Sequence, residues 1–250
     1  MVGTDCRRIK RSAVQLILIM LAALLAGGAV AEPINLGDVN PQDTAFIAAL
    51  KPQEIAYYHN GYQQDLAAVG AAAQDWLRWR APYVAKPALV LDIDETSLSN
   101  WPEILANDFA YIRNGPCRLP QGPCGVLAWD RMSRAKAIVP TLDLFKVAIS
   151  IGVAVFFITG RHDMERAATA RNLHIAGYVD KFGRNGWSGL MMEPNGAQFA
   201  SAADFKAPER AKIEAMGYWI IENMGDQPSD LAGGYAERTF KLPNPFYRIP

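Results

Sequence analysis

LVLDIDETSLSN, residues 89–100, joins an apolar run to a pair of aspartates. The run begins at Ala88 and ends at Leu91. Asp92 and Asp94 follow it and are separated from each other by Ile93. Short apolar runs bounded by polar residues are typical of strands that are buried on both faces of a parallel sheet. The stretch therefore predicts a buried strand with two carboxyl groups at its carboxyl end.

Two other apolar runs have the same texture, VAVFFI at residues 153–158 and YWII at residues 218–221. Helical patterns separate or precede the runs, at residues 138–150, 163–175 and 207–216. An earlier helical stretch, residues 53–80, is expected to break or kink near Gly61 and Gly70. Strands that alternate with helices indicate an α/β sandwich with a mostly parallel sheet.

Polar groups follow each apolar run. Thr159-Gly160-Arg161 comes after the second run, and Gly225-Asp226 comes shortly after the third. Ligands bind in open α/β sheets at the edge where the strands end, so these groups are expected to meet Asp92 and Asp94 there. Crowded carboxylates require a cation, and oxygen ligands favour Mg²⁺ over zinc. Each motif alone also fits a turn or a helix cap, but their joint placement at strand ends favours a site.

Composition limits the class of protein and of partner. Of the 250 residues 50% are hydrophobic and 20% are charged, which is typical of a globular domain and excludes wholesale disorder. The formal net charge is +0, so the chain lacks the basic surplus of a protein that binds a nucleic-acid polymer. A small molecule is the expected partner.

The first 31 residues have the build of a signal peptide. A basic stretch precedes the apolar run at residues 13–26, and small residues follow at Ala29 and Ala31. We expect cleavage after Ala31 and export to the periplasm or the medium. An uncleaved anchor is the alternative, but the apolar run is shorter than the ~20 residues that span a bilayer, so no membrane anchor is expected after cleavage.

The exported part, residues 32–250, shows no internal repeat and is expected to form one domain, with a helical N-terminal part at about residues 41–81. It keeps two cysteines, Cys117 and Cys124. Export to an oxidising compartment favours a disulfide between them, and two free thiols are the alternative.

Four motifs, in this order, resemble the haloacid dehalogenase (HAD) superfamily, in particular the class B/C-type secreted acid phosphatases of its subfamily IIIB. They are LVLDIDETSLSN, FFITGR, Lys206 and GDQPSD. By itself Lys206 would pass for a surface lysine. The ending ERTFKLPNPFYRIP is similar to plant acid phosphatases and vegetative storage proteins. The resemblance covers most of residues 86–250 and implies a HAD-like Rossmannoid three-layer sandwich with N-terminal helices and a small cap insertion.

The resemblance implies roles for individual residues. Asp92 is the nucleophile that forms an aspartyl-phosphate, and Asp94 is the general acid and base. The implied Mg²⁺ ligands are Asp92, Asp94 through its backbone carbonyl, and Asp226, with Asp230 in support through hydrogen bonds or water. The implied phosphate ligands are Thr159, Gly160 and Lys206. Arg161 and His162 are adjacent to the second motif, and either a substrate contact or a helix-terminal or surface role fits them.

The stretch at about residues 97–139 is longer than ordinary connections within a sheet. In the superfamily such insertions cover the phosphate site, and here four aromatic residues could stack on a leaving group: Trp101, Phe109, Tyr111 and Trp129. Trp101 is the preferred candidate because it lies nearest to the first motif. Core packing is the alternative for each.

The sequence thus predicts a secreted, Mg²⁺-dependent acid phosphatase that hydrolyses phosphate monoesters with broad specificity, nucleoside monophosphates among them. A phosphotransferase of the same fold and a weakly active storage or binding protein are the alternatives. The oligomeric state is left open.

Overall fold

The computed structural model describes residues 41–249, with side chains from Leu50 onward. Its helices are α1 (Pro41–Asn60), α2 (Tyr62–Arg80), α3 (Trp101–Ala106), α4 (Val126–Met132), α5 (Val139–Ser150), α6 (Arg166–Ile175), α7 (Ala202–Ala215) and α8 (Pro228–Leu231). Its strands are β1 (Pro87–Leu91), β2 (Leu98–Ser99), β3 (Lys136–Ala137), β4 (Ala154–His162), β5 (Gly189–Glu193), β6 (Trp219–Gly225) and β7 (Thr239–Lys241). The predicted signal peptide lies outside the described residues. No helix within residues 41–249 has the length and hydropathy of a membrane span.

A five-stranded sheet in the order β5-β4-β1-β6-β7 forms the central layer, and all its strands are parallel. Successive side chains of β1 point to opposite faces. Leu89 and Leu91 join the core that contains buried residues of α2 and α5, whereas Ala88 and Val90 join a second core with α7. Because both faces of the sheet are covered, β1 and the first part of β4 are apolar, although β6 also contains the buried polar residues Glu222 and Asn223. The predicted α/β fold is confirmed.

Element boundaries differ from the predicted ones at the edge where the strands end. Strand β4 continues to His162, so Thr159-Gly160-Arg161 lies within the strand rather than after it. Its pairing with β5 shifts register between Thr159 and His162, which marks a local irregularity in the strand at this point. Helix α7 begins at Ala202, not at residue 207, and therefore contains Lys206.

The long N-terminal helical stretch breaks at one of the two predicted glycines. Helix α1 ends at Asn60 and α2 begins at Tyr62, so Gly61 separates them. At Gly70, however, α2 continues, and the prediction of a kink there finds no counterpart. A Cβ on Gly70 would lie 2.6 Å from the Cβ of Pro140 on α5. Gly70 thus serves the close approach of two helices.

The stretch between β1 and α5 contains a small antiparallel pair, β2 with β3, and the helices α3 and α4. Cys117 and Cys124 form a disulfide within it. The side chain of Asn107 holds the backbone of Cys124 from both sides, accepting from its N–H and donating to its carbonyl at 2.7 Å. This irregular stretch is therefore fixed by a covalent bond and by paired hydrogen bonds.

Candidate active site

The neighbouring strands β4, β1 and β6 bring three separated motifs to one edge of the sheet. Asp92 follows β1, and Asp226 follows β6 directly. Asp230 lies on α8, one turn further on. Carboxylate oxygens of these three buried residues all lie within 4.8 Å of one another. The sheet topology thus concentrates negative charge at a single buried point.

Lys206 supplies a counterion to this cluster from α7. Its Nζ lies 2.5 Å from Oδ1 of Asp92 and 2.6 Å from Oδ1 of Asp230. Burial raises the pKa of Asp92 well above its usual value, and the ammonium of Lys206 opposes this. Burial also disfavours the charged amine, but the two carboxylates hold the pKa of Lys206 above its usual value.

Asp226 is held by neutral donors. Thr96 Oγ1 donates to its Oδ1 at 3.0 Å, while Gln227 Nε2 and Asn244 Nδ2 donate to its Oδ2 at 2.6 and 2.7 Å. Burial and the charge of Asp230 raise the pKa of Asp226 to about 7. Sequence reasoning missed all three donors, because the choice of hydrogen-bond partner leaves no periodic signal.

Asp94 does not point into the carboxylate cluster but pairs with Arg161. Nη2 of Arg161 lies 2.6 Å from Oδ1 of Asp94, and Asn100 Nδ2 donates to the same oxygen at 2.8 Å. Burial would raise the pKa of Asp94, but Arg161 and Asn100 hold it below its usual value. Arg161 also contacts Asp130 at 3.0 Å and is buried within β4, so it has neither the surface nor the helix-terminal position considered for it.

The predicted phosphate ligands differ in their surroundings. Thr159 is fully buried, and its Oγ1 accepts the N–H of Arg161 at 3.1 Å. Gly160 is exposed and lines the cavity above the carboxylate cluster. Lys206 is buried, but it also lines this cavity. The structure therefore brings all three residues to the same edge of the sheet, where Gly160 and Lys206 line the cavity and Thr159 does not.

A cavity of about 790 Å³ opens above the carboxylate cluster. Asp92, Asp94 and Lys206 line it, together with three aromatic residues of the insertion: Phe109, Tyr111 and Trp129. Trp101, the preferred candidate for a leaving-group contact, lies outside it. Its indole stacks on Tyr58 at 3.7 Å between ring centroids and is 8% exposed, which agrees with the core packing considered as the alternative for Trp101.

The donor set fits a hard divalent cation. Asp92, Asp226 and Asp230 offer only carboxylate oxygens, at spacings that one ion can bridge. Histidine and cysteine, which zinc prefers, do not belong to this cluster. The structure places the side chain of Asp230, rather than that of Asp94, beside the other two carboxylates.

A sequence model described as HAD superfamily, subfamily IIIB (Acid phosphatase), matches residues 33–250. The chain belongs to this subfamily.

Curated relatives of the subfamily IIIB chain come from plants. It is 32% identical over 167 residues to the stem 28 kDa glycoprotein of Glycine max, covering 66% of this chain and 61% of the relative. It is 31% identical over 161 residues to acid phosphatase 1 of Solanum lycopersicum, covering 64% and 58%. It is 28% identical over 162 residues to vegetative storage protein 1 of Arabidopsis thaliana, covering 64% and 55%. The match thus spans only 55–61% of the length of these relatives.

Among solved structures, the class C acid phosphatase of Bacillus anthracis with tungstate bound shares the fold. The TM-score is 0.60 at 20% identity, with 79% of this chain and 86% of that chain covered. At this level of identity the likeness concerns the fold.

Proposed function

We propose that this subfamily IIIB chain is an exported, Mg²⁺-dependent phosphomonoesterase that acts through an aspartyl-phosphate on Asp92. The observation that carries the proposal is the position of Asp92. Its carboxylate belongs to the metal-ligand cluster, is paired with Lys206 at 2.5 Å, and lines the cavity. A nucleophile, a counterion and access for substrate thus coincide at one side chain.

The residues suggest the following reaction. A carboxylate oxygen of Asp92 attacks phosphorus while the bond from phosphorus to the ester oxygen breaks. Asp94, on the cavity wall, would give a proton to the departing alkoxide. Because Arg161 holds Asp94 ionised in the resting chain, this step requires the Arg161 contact to open and Asp94 to take up a proton from solvent first. Asp94 then takes a proton from the water that attacks the aspartyl-phosphate, which releases inorganic phosphate and regenerates Asp92.

The remaining groups handle charge. Lys206 and the amide of Gly160, which both line the cavity, would hold phosphate oxygens. Asp92 and Asp226 would hold the metal ion, with the Asp94 backbone carbonyl as a further proposed ligand and Asp230 in support beside them. When bound, Mg²⁺ offsets the repulsion between the anionic nucleophile and the phosphate dianion.

The leaving group would lie against the insertion at about residues 97–139, which we propose as a cap. The cavity wall there includes Phe109, Tyr111 and Trp129. Tyr111 is exposed on this wall and Phe109 is half-buried, so the two rings would suit varied alcohols, including nucleosides, and they support broad specificity.

A storage protein of low activity is the second candidate, because vegetative storage proteins are among the relatives. The intact pairing of Lys206 with Asp92 and Asp230 favours catalysis.

Hydrolysis of a chromogenic phosphomonoester by the purified full chain tests the proposal. We expect turnover that requires Mg²⁺, is lost with a chelator and falls at least ~10³-fold in Asp92→Asn. Asp143→Asn, an exposed aspartate of α5, is the matched control and should keep full activity. Absence of turnover from folded protein on a panel of phosphomonoesters would favour the storage candidate, and full activity in Asp92→Asn would refute the nucleophile.

A further inference from the structure

The segment Leu242–Ile249, which follows β7, folds back over the edge that carries the site. It leaves the sheet at Leu242, whose N–H donates to the carbonyl of Gly225 at 2.9 Å. Phe246, four residues on, is buried against Tyr58, Tyr62, Trp101 and Phe109. Both ends of the Leu242–Phe246 stretch are therefore anchored, and Asn244 lies between them.

Asn244 uses both ends of its side-chain amide. Its Oδ1 accepts the N–H of Phe246 at 3.0 Å, and its Nδ2 donates to Oδ2 of Asp226 at 2.7 Å. The first contact turns the amide so that the second must be a donation. The orientation of Asn244 is thus set by its own segment, and Asp226 receives it.

The 242–249 segment also acts on Asp226 through Gln227. The side-chain carbonyl of Gln227 accepts the N–H of Ile249 at 3.1 Å, while its Nε2 donates to Oδ2 of Asp226 at 2.6 Å. Both amide donors to Oδ2 are therefore oriented by this segment.

Asp226 differs in this respect from the other two carboxylates of the cluster. Asp92 and Asp230 are paired with the Lys206 ammonium, whereas within residues 50–249 the hydrogen-bond donors to Asp226 are all neutral. A neutral donor fixes the direction of a carboxylate without cancelling its charge. Such contacts suit an oriented metal ligand, since they leave the full charge of the Asp226 carboxylate available to the ion.

We propose that Asn244 is a positioning residue for metal binding: its amide holds the Asp226 carboxylate in the direction needed to ligate a divalent ion. The inference rests on the proposed function, in which Asp226 is a metal ligand. It extends that function to a segment outside the motifs that define the site.

Isothermal calorimetry of the metal-free full chain titrated with Mg²⁺ tests this proposal without an activity assay. We expect Asn244→Ala to bind Mg²⁺ about 10- to 100-fold more weakly than the unaltered chain. Ser229→Ala is the matched control, because Ser229 Oγ donates to the carbonyl of Ile249 at 3.4 Å and so holds the same segment without touching Asp226. Its Mg²⁺ affinity should stay within about 3-fold.

A purely structural role for Asn244 would give a different result. It would lower the melting temperature of the metal-free variant but leave the Mg²⁺ affinity unchanged, and that outcome overturns the inference. Asn244→Ser, whose hydroxyl is too short for the contact, should match Asn244→Ala and serves in its place if the alanine variant does not fold. Failure of both to fold would also contradict a positioning role. If the unaltered chain itself binds no Mg²⁺, the metal dependence in the proposed function fails as well, which distinguishes the two failures.

Discussion

The guanidinium of Arg161 forms a bidentate pair with the carboxylate of Asp94: Nη2 lies 2.6 Å from Oδ1 and Nε lies 3.1 Å from Oδ2. The same guanidinium makes one contact with Asp130, at 3.0 Å. The unequal sharing has an electrostatic result. The pKa of Asp94 is lowered, whereas burial, only partly offset by Arg161, raises that of Asp130 to about 8.

Replacement of Arg161 should therefore destabilise the fold strongly. Arg161→Gln leaves Asp94 and Asp130 without their cation, and breaking such a buried pair costs about 3–5 kcal/mol. Urea unfolding near neutral pH would measure the loss. Arg184→Gln removes an exposed arginine, 73% exposed and paired with Asp180, and should cost less than about 1 kcal/mol. Equal losses in the two variants would show that burial of the Arg161 pair has been misjudged.

Glu95 should make the metal-free protein less stable as the pH rises. Burial and the charge of Asp94 raise its pKa to about 8, so the folded chain keeps a proton that the unfolded chain releases near pH ~4.3. The stability that comes from this proton is complete below the unfolded pKa and is lost as the pH rises toward 8.

Glu95→Gln removes that dependence while preserving the shape of the side chain. We compare the free energy of unfolding of the variant with that of the unaltered chain at each pH, by urea unfolding with a chelator present. The difference, variant minus unaltered chain, should be larger at pH 8 than at pH 5 by about 2–4 kcal/mol. Asp143→Asn, at an exposed position, should show no such difference. A parallel pH dependence in Glu95→Gln and the unaltered chain would contradict the assignment.

Tyr111 and Trp101 should separate substrate contact from packing. Tyr111 lines the cavity and is 72% exposed, so Tyr111→Ala should raise KM for an aryl phosphate about 3- to 10-fold without lowering stability. KM for a small alkyl phosphate should not change.

Trp101→Ala should do the reverse. It removes the stack on Tyr58 and the contact with Phe246, at a cost of about 3–5 kcal/mol in unfolding free energy. A stable Trp101→Ala variant with impaired KM would return Trp101 to the substrate pocket.

Gly70→Ala should destabilise the protein although alanine favours helix formation by about 1 kcal/mol. The added methyl group meets Pro140 at 2.6 Å, and such overpacking costs about 1–3 kcal/mol. Thermal unfolding gives the sign directly. A rise in melting temperature would mean that α2 and α5 can separate at no cost.

The central strands could be predicted from the sequence because burial on both faces favours a short apolar run within each of them. β1, β4 and β6 meet this condition, but β5 (GLMME) and β7 (TFK) are short and mixed, and pairing with a neighbouring strand supports them. The start of α7 was predictable in principle. Ser201 and Asp204 form a capping box, and this signal begins six residues before the predicted start at residue 207.

The place of the site in the fold could be predicted from the topology of the sheet. Once three strands are parallel neighbours, residues at their carboxyl ends must meet, and Asp92, Gly160 and Asp226 do. Side-chain direction does not follow from position in the chain. Trp101 lies close to the first motif but packs on Tyr58, and the amide of Asn244 reaches Asp226 only because Phe246 is anchored beyond it.

Lys206 also bears on when the chain can fold. Three carboxylates in one buried cluster would repel strongly, but the ammonium that touches Asp92 and Asp230 arrives on the polypeptide itself. A side chain of the polypeptide thus neutralises part of the charge of this cluster. This differs from small metal-binding domains, which stay unfolded until an ion binds to their ligands. We therefore expect the polypeptide to complete its fold without added metal, and cooperative unfolding in the presence of a chelator would show this.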